Sequence, residues 1–153
     1  AAPLRGSPDK GTAMQNKGSK LAAIVVAATA FAAPATAAAA FQSPSTNITC
    51  YMGHHIDGAV SVTCAIAQKY WVAPPRPDTC HLDWGSRFRL EQALPARFDC
   101  YGQSMPVPEQ TLAYGTSISD GTLVCYSKTT GITCSDTYTG HYFKVSREGY
   151  ELG

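Results

Sequence analysis

Beyond residue 40 the chain lacks any run of apolar residues at a 3.6-residue period, which excludes a core of packed amphipathic helices. Long apolar stretches are missing too. The longest, Leu21 to Ala33, covers 13 residues and stops at Pro34, short of the about 20 residues that a membrane-spanning helix needs. Lysine is scarce: only Lys69, Lys128 and Lys144 lie past residue 40, well separated, and with five arginines they face ten acids, a net charge of −2. Without clustered bases there is no electrostatic footprint for nucleic acid or for an anionic membrane surface. No C-x2-C or H-x3-H spacing is present, so a zinc site has no frame, and no G-x-S-x-G elbow presents a serine nucleophile. Neither a metal nor a cofactor is expected.

What the chain does have is six cysteines, all between residues 50 and 134. Around them residues alternate with period two, the mark of a half-buried strand. Ile48, Cys50 and Met52 are in phase, as are Val60, Val62, Cys64 and Ile66, across a loop containing Gly53, Asp57 and Gly58. Leu123, Cys125 and Ser127 repeat the pattern against Ile132 and Cys134, with Lys128-Thr129-Thr130-Gly131 as the turn. Six cysteines allow 15 pairings. The phases favour Cys50 with Cys64 and Cys125 with Cys134, leaving Cys80 with Cys100. A crossed pairing such as Cys50 with Cys134 requires the two hairpins to face each other across a core.

The N-terminal part divides into three. Residues 1–13 have no apolar period and no aromatic residue and read as upstream, disordered sequence. Residues 14–40 read as a secretory signal peptide: Lys17 and Lys20 form a positive n-region, Leu21 to Ala33 a helical apolar core, and small residues follow Pro34. Cleavage is expected near Ala38 to Phe41. Residues 41–153 then form a single disulfide-rich domain, and an even cysteine count after a leader points to disulfides in an oxidising compartment. The expected product is secreted or held at the cell envelope, with membrane contact only through an uncleaved leader.

The domain reads as all-β, a small disulfide-stapled sandwich or open barrel of about seven to eight short strands. Phe88 and Leu90 alternate with Arg87, Arg89 and Glu91 as a half-exposed strand, and Arg97 to Tyr101 is a further candidate. Pro74, Pro75 and Pro77 keep the preceding residues extended. Asn47-Ile48-Thr49 is a glycosylation sequon.

Several motifs carry a resemblance. Phe41-Gln42-Ser43-Pro44-Ser45, the ordered cysteines, Asp83-Trp84-Gly85 and Gly140-His141-Tyr142-Phe143-Lys144-Val145-Ser146-Arg147 resemble a family of small secreted actinobacterial proteins classed only as a domain of unknown function. Thr46 stands where that family leads one to expect glycine, and Gly102-Gln103-Ser104 where Gly-Asp-Thr is expected. The resemblance implies an exported bacterial domain and supplies no catalytic residue.

Among titratable residues, His54-His55 sits beside Asp57 in the first hairpin loop, where an extended backbone would send the two imidazoles to opposite sides. The alternative is a small secreted hydrolase using His141 with an acid such as Asp83; Asp83 with Glu91 or Asp99 would make a glycosidase pair, but a chain this short leaves little depth for a substrate cleft. The stronger signal is aromatic. All eight tyrosines and both tryptophans lie past residue 40, several at polar or loop positions. Such side chains offer apolar area and a hydrogen-bonding tip to proteins and sugars, although in small β domains they more often fill the core or cover a disulfide. The candidate binding residues are Trp84, Tyr114, Tyr126, His141, Tyr142 and Arg147, with no catalytic residue assigned. The expected function is a secreted β interaction module, not an enzyme, that binds a protein or a cell-envelope glycan.

Overall fold

The computed structural model describes residues 39–153 together with the isolated Gly6 and Gly11. The expected upstream segment and leader helix lie outside the described residues, and among those described no helix is long and apolar enough to cross a membrane.

Among the described residues eleven strands form two sheets. The first contains β1 (Ala39–Gln42), β2 (Ile48–His54), β3 (Val60–Ile66), β4 (Arg87–Glu91), β5 (Arg97–Phe98) and β6 (Gln110–Thr111), in the order β5-β4-β3-β2-β1-β6. Among the described strands only β6 runs parallel to its neighbour, β1. The second contains β7 (Ser117–Asp120), β8 (Leu123–Lys128), β9 (Gly131–Asp136), β10 (Tyr142–Val145) and β11 (Tyr150–Leu152), an antiparallel meander in the order β11-β10-β9-β8-β7. The architecture is all-β, as expected, but with more than seven or eight strands. The additional ones are pieces of two to four residues, such as β5, β6 and β11. They are too short to show an alternation of their own and exist because a longer neighbour offers an edge to pair with.

The two long hairpins follow the side-chain phases. Ile48 faces Ile66, Cys50 faces Cys64 and Met52 faces Val62. Cys125 faces Cys134 and Ser127 faces Ile132. Both cross-strand cystines have Cα atoms 4.0 Å apart, the close approach of a non-hydrogen-bonded antiparallel pair. The second turn is tighter than the four residues expected, because Lys128 and Gly131 still pair and only Thr129 and Thr130 lie between them. Gly131 has φ 117°, and a Cβ there would strike the carbonyl of Val145 on β10, so only glycine lets the hairpin close against that strand.

The sheets stack face to face as a sandwich. Phe88 from the first lies 5.7 Å, centroid to centroid, from Phe143 of the second, and Cys64 Sγ lies 3.9 Å from Cys134 Sγ. Phe41, Val62, Leu90, Leu123, Ile132 and Val145 complete this core with no or almost no exposed surface. Burying such side chains contributes about 1.5–3 kcal/mol each. Trp71, from the long β3–β4 loop, covers one side of the core against Phe88, Phe98 and Tyr150 and donates its indole N–H to Ser146 O at 2.8 Å. Cys80 and Cys100 form the third disulfide, which ties that loop to the segment after β5.

Strand polarity sorts the loops. The β1–β2, β3–β4, β6–β7, β8–β9 and β10–β11 connections leave one end of the sandwich, and the β2–β3, β4–β5, β7–β8 and β9–β10 connections leave the other.

Candidate functional site

The first of these ends holds a polar groove. A hollow of about 180 Å³ is lined by Ser43, Ser45, Asn47, Tyr114, Lys128 and Arg147, among others. It shares Thr129, Ser146 and Glu148 with an adjoining hollow of about 480 Å³ that runs on to Lys144 and Tyr150. Together they approach the size of ordinary small-ligand sites. Each lining residue is placed by a local device. Ser43, itself buried, accepts the Ile48 amide at 3.1 Å and shares a 3.0 Å hydrogen bond with Ser45, which shapes the turn entering β2. The Asn47 side-chain amide donates to Gln68 O at 2.9 Å and accepts from Gln68 N at 2.8 Å, tying the start of the β3–β4 loop to that turn. Ser146 Oγ accepts the amides of Glu148 and Gly149 and donates to Gly149 O, which closes the β10–β11 turn. Arg147 is half-buried, its carbonyl accepts the Tyr70 amide at 2.8 Å, and its guanidinium lies 5.9 Å from the centre of the Tyr70 ring. Tyr114, from the β6–β7 connection, lines the same hollow and is exposed.

Of the six candidate binding residues, the fold therefore brings two together here, Tyr114 and Arg147. Tyr126 and Tyr142 lie instead on the outward face of the second sheet, opposite Thr133 and Ser135 of β9. Trp84 lines a separate hollow beside the Cys80–Cys100 bridge and donates its indole N–H to Pro74 O at 2.9 Å. His141 lies in the β9–β10 turn at the far end, while Asp83 lies in the β3–β4 loop, pinned by a backbone bridge to Tyr101. The loops that carry His141 and Asp83 leave opposite ends of the sandwich. Among the described residues no ion pair joins His141 to a carboxylate.

The far end is a set of closed electrostatic partnerships. His54 Nε2 lies 2.6 Å from Asp120 Oδ2, an oxygen with no other partner, and links the two sheets. His55 turns the other way, 3.8 Å from Glu91 and 3.2 Å from Arg89 Nη2. Burial alone would raise the Glu91 carboxyl, but Arg89 at 2.7 Å and Arg97 at 3.2 Å hold it below the usual carboxylate range. Asp136 is fully buried. Burial would raise it as well, yet the amides of Ala93 and Tyr138 and the hydroxyls of Thr122 and Thr139 all bond its charged form and lower it to about 2. Among the described residues no three His, Cys, Asp or Glu side chains gather as metal ligands.

Lys128, Asn47, Thr129 and Ser146 line the groove, and Tyr70 flanks Arg147 beside it, but none is among the sequence-based candidates. Each reads as an ordinary turn or loop residue, and only the strand order brings them to one end.

The family model of a family of unknown function, DUF6636, matches residues 20–152. No curated protein and no solved structure matches the chain.

Proposed function

The chain belongs to that family of unknown function, and we propose that it is an extracytoplasmic binding module whose polar groove holds a segment of cell-envelope glycan. One observation carries the reading: four loops, separated in sequence, converge to line a continuous groove with hydroxyls, an amide, a tyrosine and an arginine. Sugars are recognised by such mixtures, in which an aromatic ring covers the apolar face of the pyranose and short polar side chains bond its hydroxyls. Three disulfides suit an oxidising compartment. Binding rather than hydrolysis is the better-supported reading. His141, the histidine a hydrolase would use, belongs to the end away from the groove, and no histidine lines the groove itself.

The test is retention of the disulfide-bonded full chain on purified envelope polysaccharide. Tyr114→Ala and Arg147→Gln should each weaken retention about tenfold, the value of one hydrogen-bonded or stacked contact, while Tyr126→Ala and Tyr142→Ala leave it unchanged. The opposite pattern, loss only on changing Tyr126 or Tyr142, would move the binding surface to the outer sheet face and favour a protein partner. No retention at all would end the glycan reading.

A further inference from the structure

The groove's chemistry is more specific than that of a site for neutral sugar. Residues 39–153 carry eight Lys and Arg, and six of those head groups are already engaged. Lys69 donates to Gly85 O and lies 4.3 Å above the Trp71 ring. Arg76 donates to Leu82 O. Arg87 donates to Gln103 O at 2.8 Å and stacks on Tyr101. Arg89 and Arg97 share Glu91, and Lys144 pairs with Glu151 at 3.2 Å. Lys128 and Arg147 remain. Among the described residues neither head group has a carboxylate within ion-pair distance or a hydrogen-bond acceptor, and both line the same hollow.

They come from different connections of the second sheet, the β8–β9 and β10–β11 turns, so their meeting is a product of the fold and not of neighbouring sequence. Arg147 is also the better prepared of the two, half-buried with its plane near Tyr70, so less side-chain freedom is lost on binding. One acid, Glu148, lines the hollow with them. It opposes a bare anion but accepts hydrogen bonds from hydroxyls.

Resting on the glycan reading above, we infer that the groove selects an acidic glycan: a polyhydroxylated chain bearing phosphate or carboxylate, its anionic group held between Arg147 and Lys128 while Ser45, Asn47 and Thr129 face the hydroxyls. The whole domain offers no general attraction for such a ligand, because residues past 40 carry a net −2. A preference for acidic glycan must therefore arise locally.

The experiment is calorimetric titration of the disulfide-bonded full chain with three oligosaccharide-sized probes of similar length: a neutral N-acetylglucosamine oligomer, an oligoglucuronate and a glycerol-phosphate oligomer. At least one acidic probe should bind about tenfold or more tightly than the neutral one, as a charge-assisted hydrogen bond warrants, and which of them does so identifies phosphate or carboxylate as the source. Affinity should fall on raising salt to about 0.5 M. Arg147→Gln should abolish the preference, Arg147→Lys should restore part of it, and Glu148→Gln should strengthen acidic binding. A Glu148→Gln gain separates a ligand role from a structural one, since Glu148 is exposed and its side chain bonds nothing in the fold. Equal affinity for all three probes, unaffected by Arg147→Gln, would overturn the acidic selection and leave the glycan reading standing. No binding by any probe would overturn both.

Discussion

Thr46 has a left-handed backbone, φ 58°, in the turn between β1 and β2, and a β-branched side chain there costs roughly 1–2 kcal/mol. The turn imposes it: Thr46 N donates to Ser43 O and Ser43 N to Ile48 O, both at 2.9 Å. Glycine, the residue the family resemblance leads one to expect, relieves that strain but leaves a more flexible unfolded chain. Thr46→Gly is therefore expected to stabilise the protein by about 0.5–1 kcal/mol, a rise of about 2–5 °C in Tm. A lower Tm would mean that the threonine side chain contributes more than its backbone costs. Asp136 is the opposite case, a residue whose charge is fully provided for. Its folded pKa, about 2, lies below its ordinary 3.8, so its contribution is complete above about pH 4 and is lost as pH falls toward 2. After allowance for solvent screening at the sandwich end, that contribution is about 1–2 kcal/mol. In denaturant titrations Asp136→Asn should be less stable at pH 7 and lose less stability between pH 4 and 2 than the parent. An equal acid dependence of the two proteins would assign the acid loss to other carboxylates.

At the scale of elements, the strands that could be read from sequence are those whose partners lie close along the chain. Cys50 against Cys64 and Cys125 against Cys134 follow from phase, because a one-residue slip would turn Ile48, Met52, Val60 and Ile66 toward water. The parallel pairing of β6 with β1 has no such signature. Gln110 and Thr111 are exposed, and they pair with Phe41 and Gln42 only because the chain returns to that edge. The same lack hid the groove, whose loops share an end through strand order alone. Strand β1 also bears on processing. It lies inside its sheet, with Ala39 opposite Met52 and Ala40 opposite Tyr51, the Ala40 carbonyl accepting the Glu109 amide and Phe41 fully buried. Cleavage after Ala40 would remove half of the strand and set a charged ammonium on a core residue, a costly burial. Cleavage at Ala35-Thr36-Ala37 would leave the strand whole. The intact mass of exported protein should thus place its first residue at Ala38, and a mass beginning at Phe41 would show that the sheet stands without the first half of β1.

For the whole molecule, the three disulfides do two different jobs. Cys50–Cys64 and Cys125–Cys134 lie in the core, all four residues without exposed surface, and meet sulfur to sulfur between the sheets through Cys64 and Cys134. The hairpins thus do face each other with cysteines across the core, the arrangement a crossed pairing would need, yet each bridge closes its own hairpin. Cys80–Cys100 lies apart from them and ties down the loop that carries Trp71 and Trp84, with Cys100 exposed. Thiol–disulfide exchange requires a thiolate to reach a sulfur, so access separates the bridges even where chemistry does not. Under limited reduction without denaturant, alkylation should label Cys80 and Cys100 first, and the four core cysteines only at the rate of global unfolding. Non-reduced peptide maps of the untreated protein should link the segment around Cys80 only to that around Cys100. Because Tyr70 and Trp71 join the same loop to Arg147 and Ser146, opening that outer bridge should also weaken glycan retention before the sandwich melts. Equal labelling of all six cysteines would show instead that the sandwich opens as one unit, leaving the loop no separate mobility through which to affect the groove.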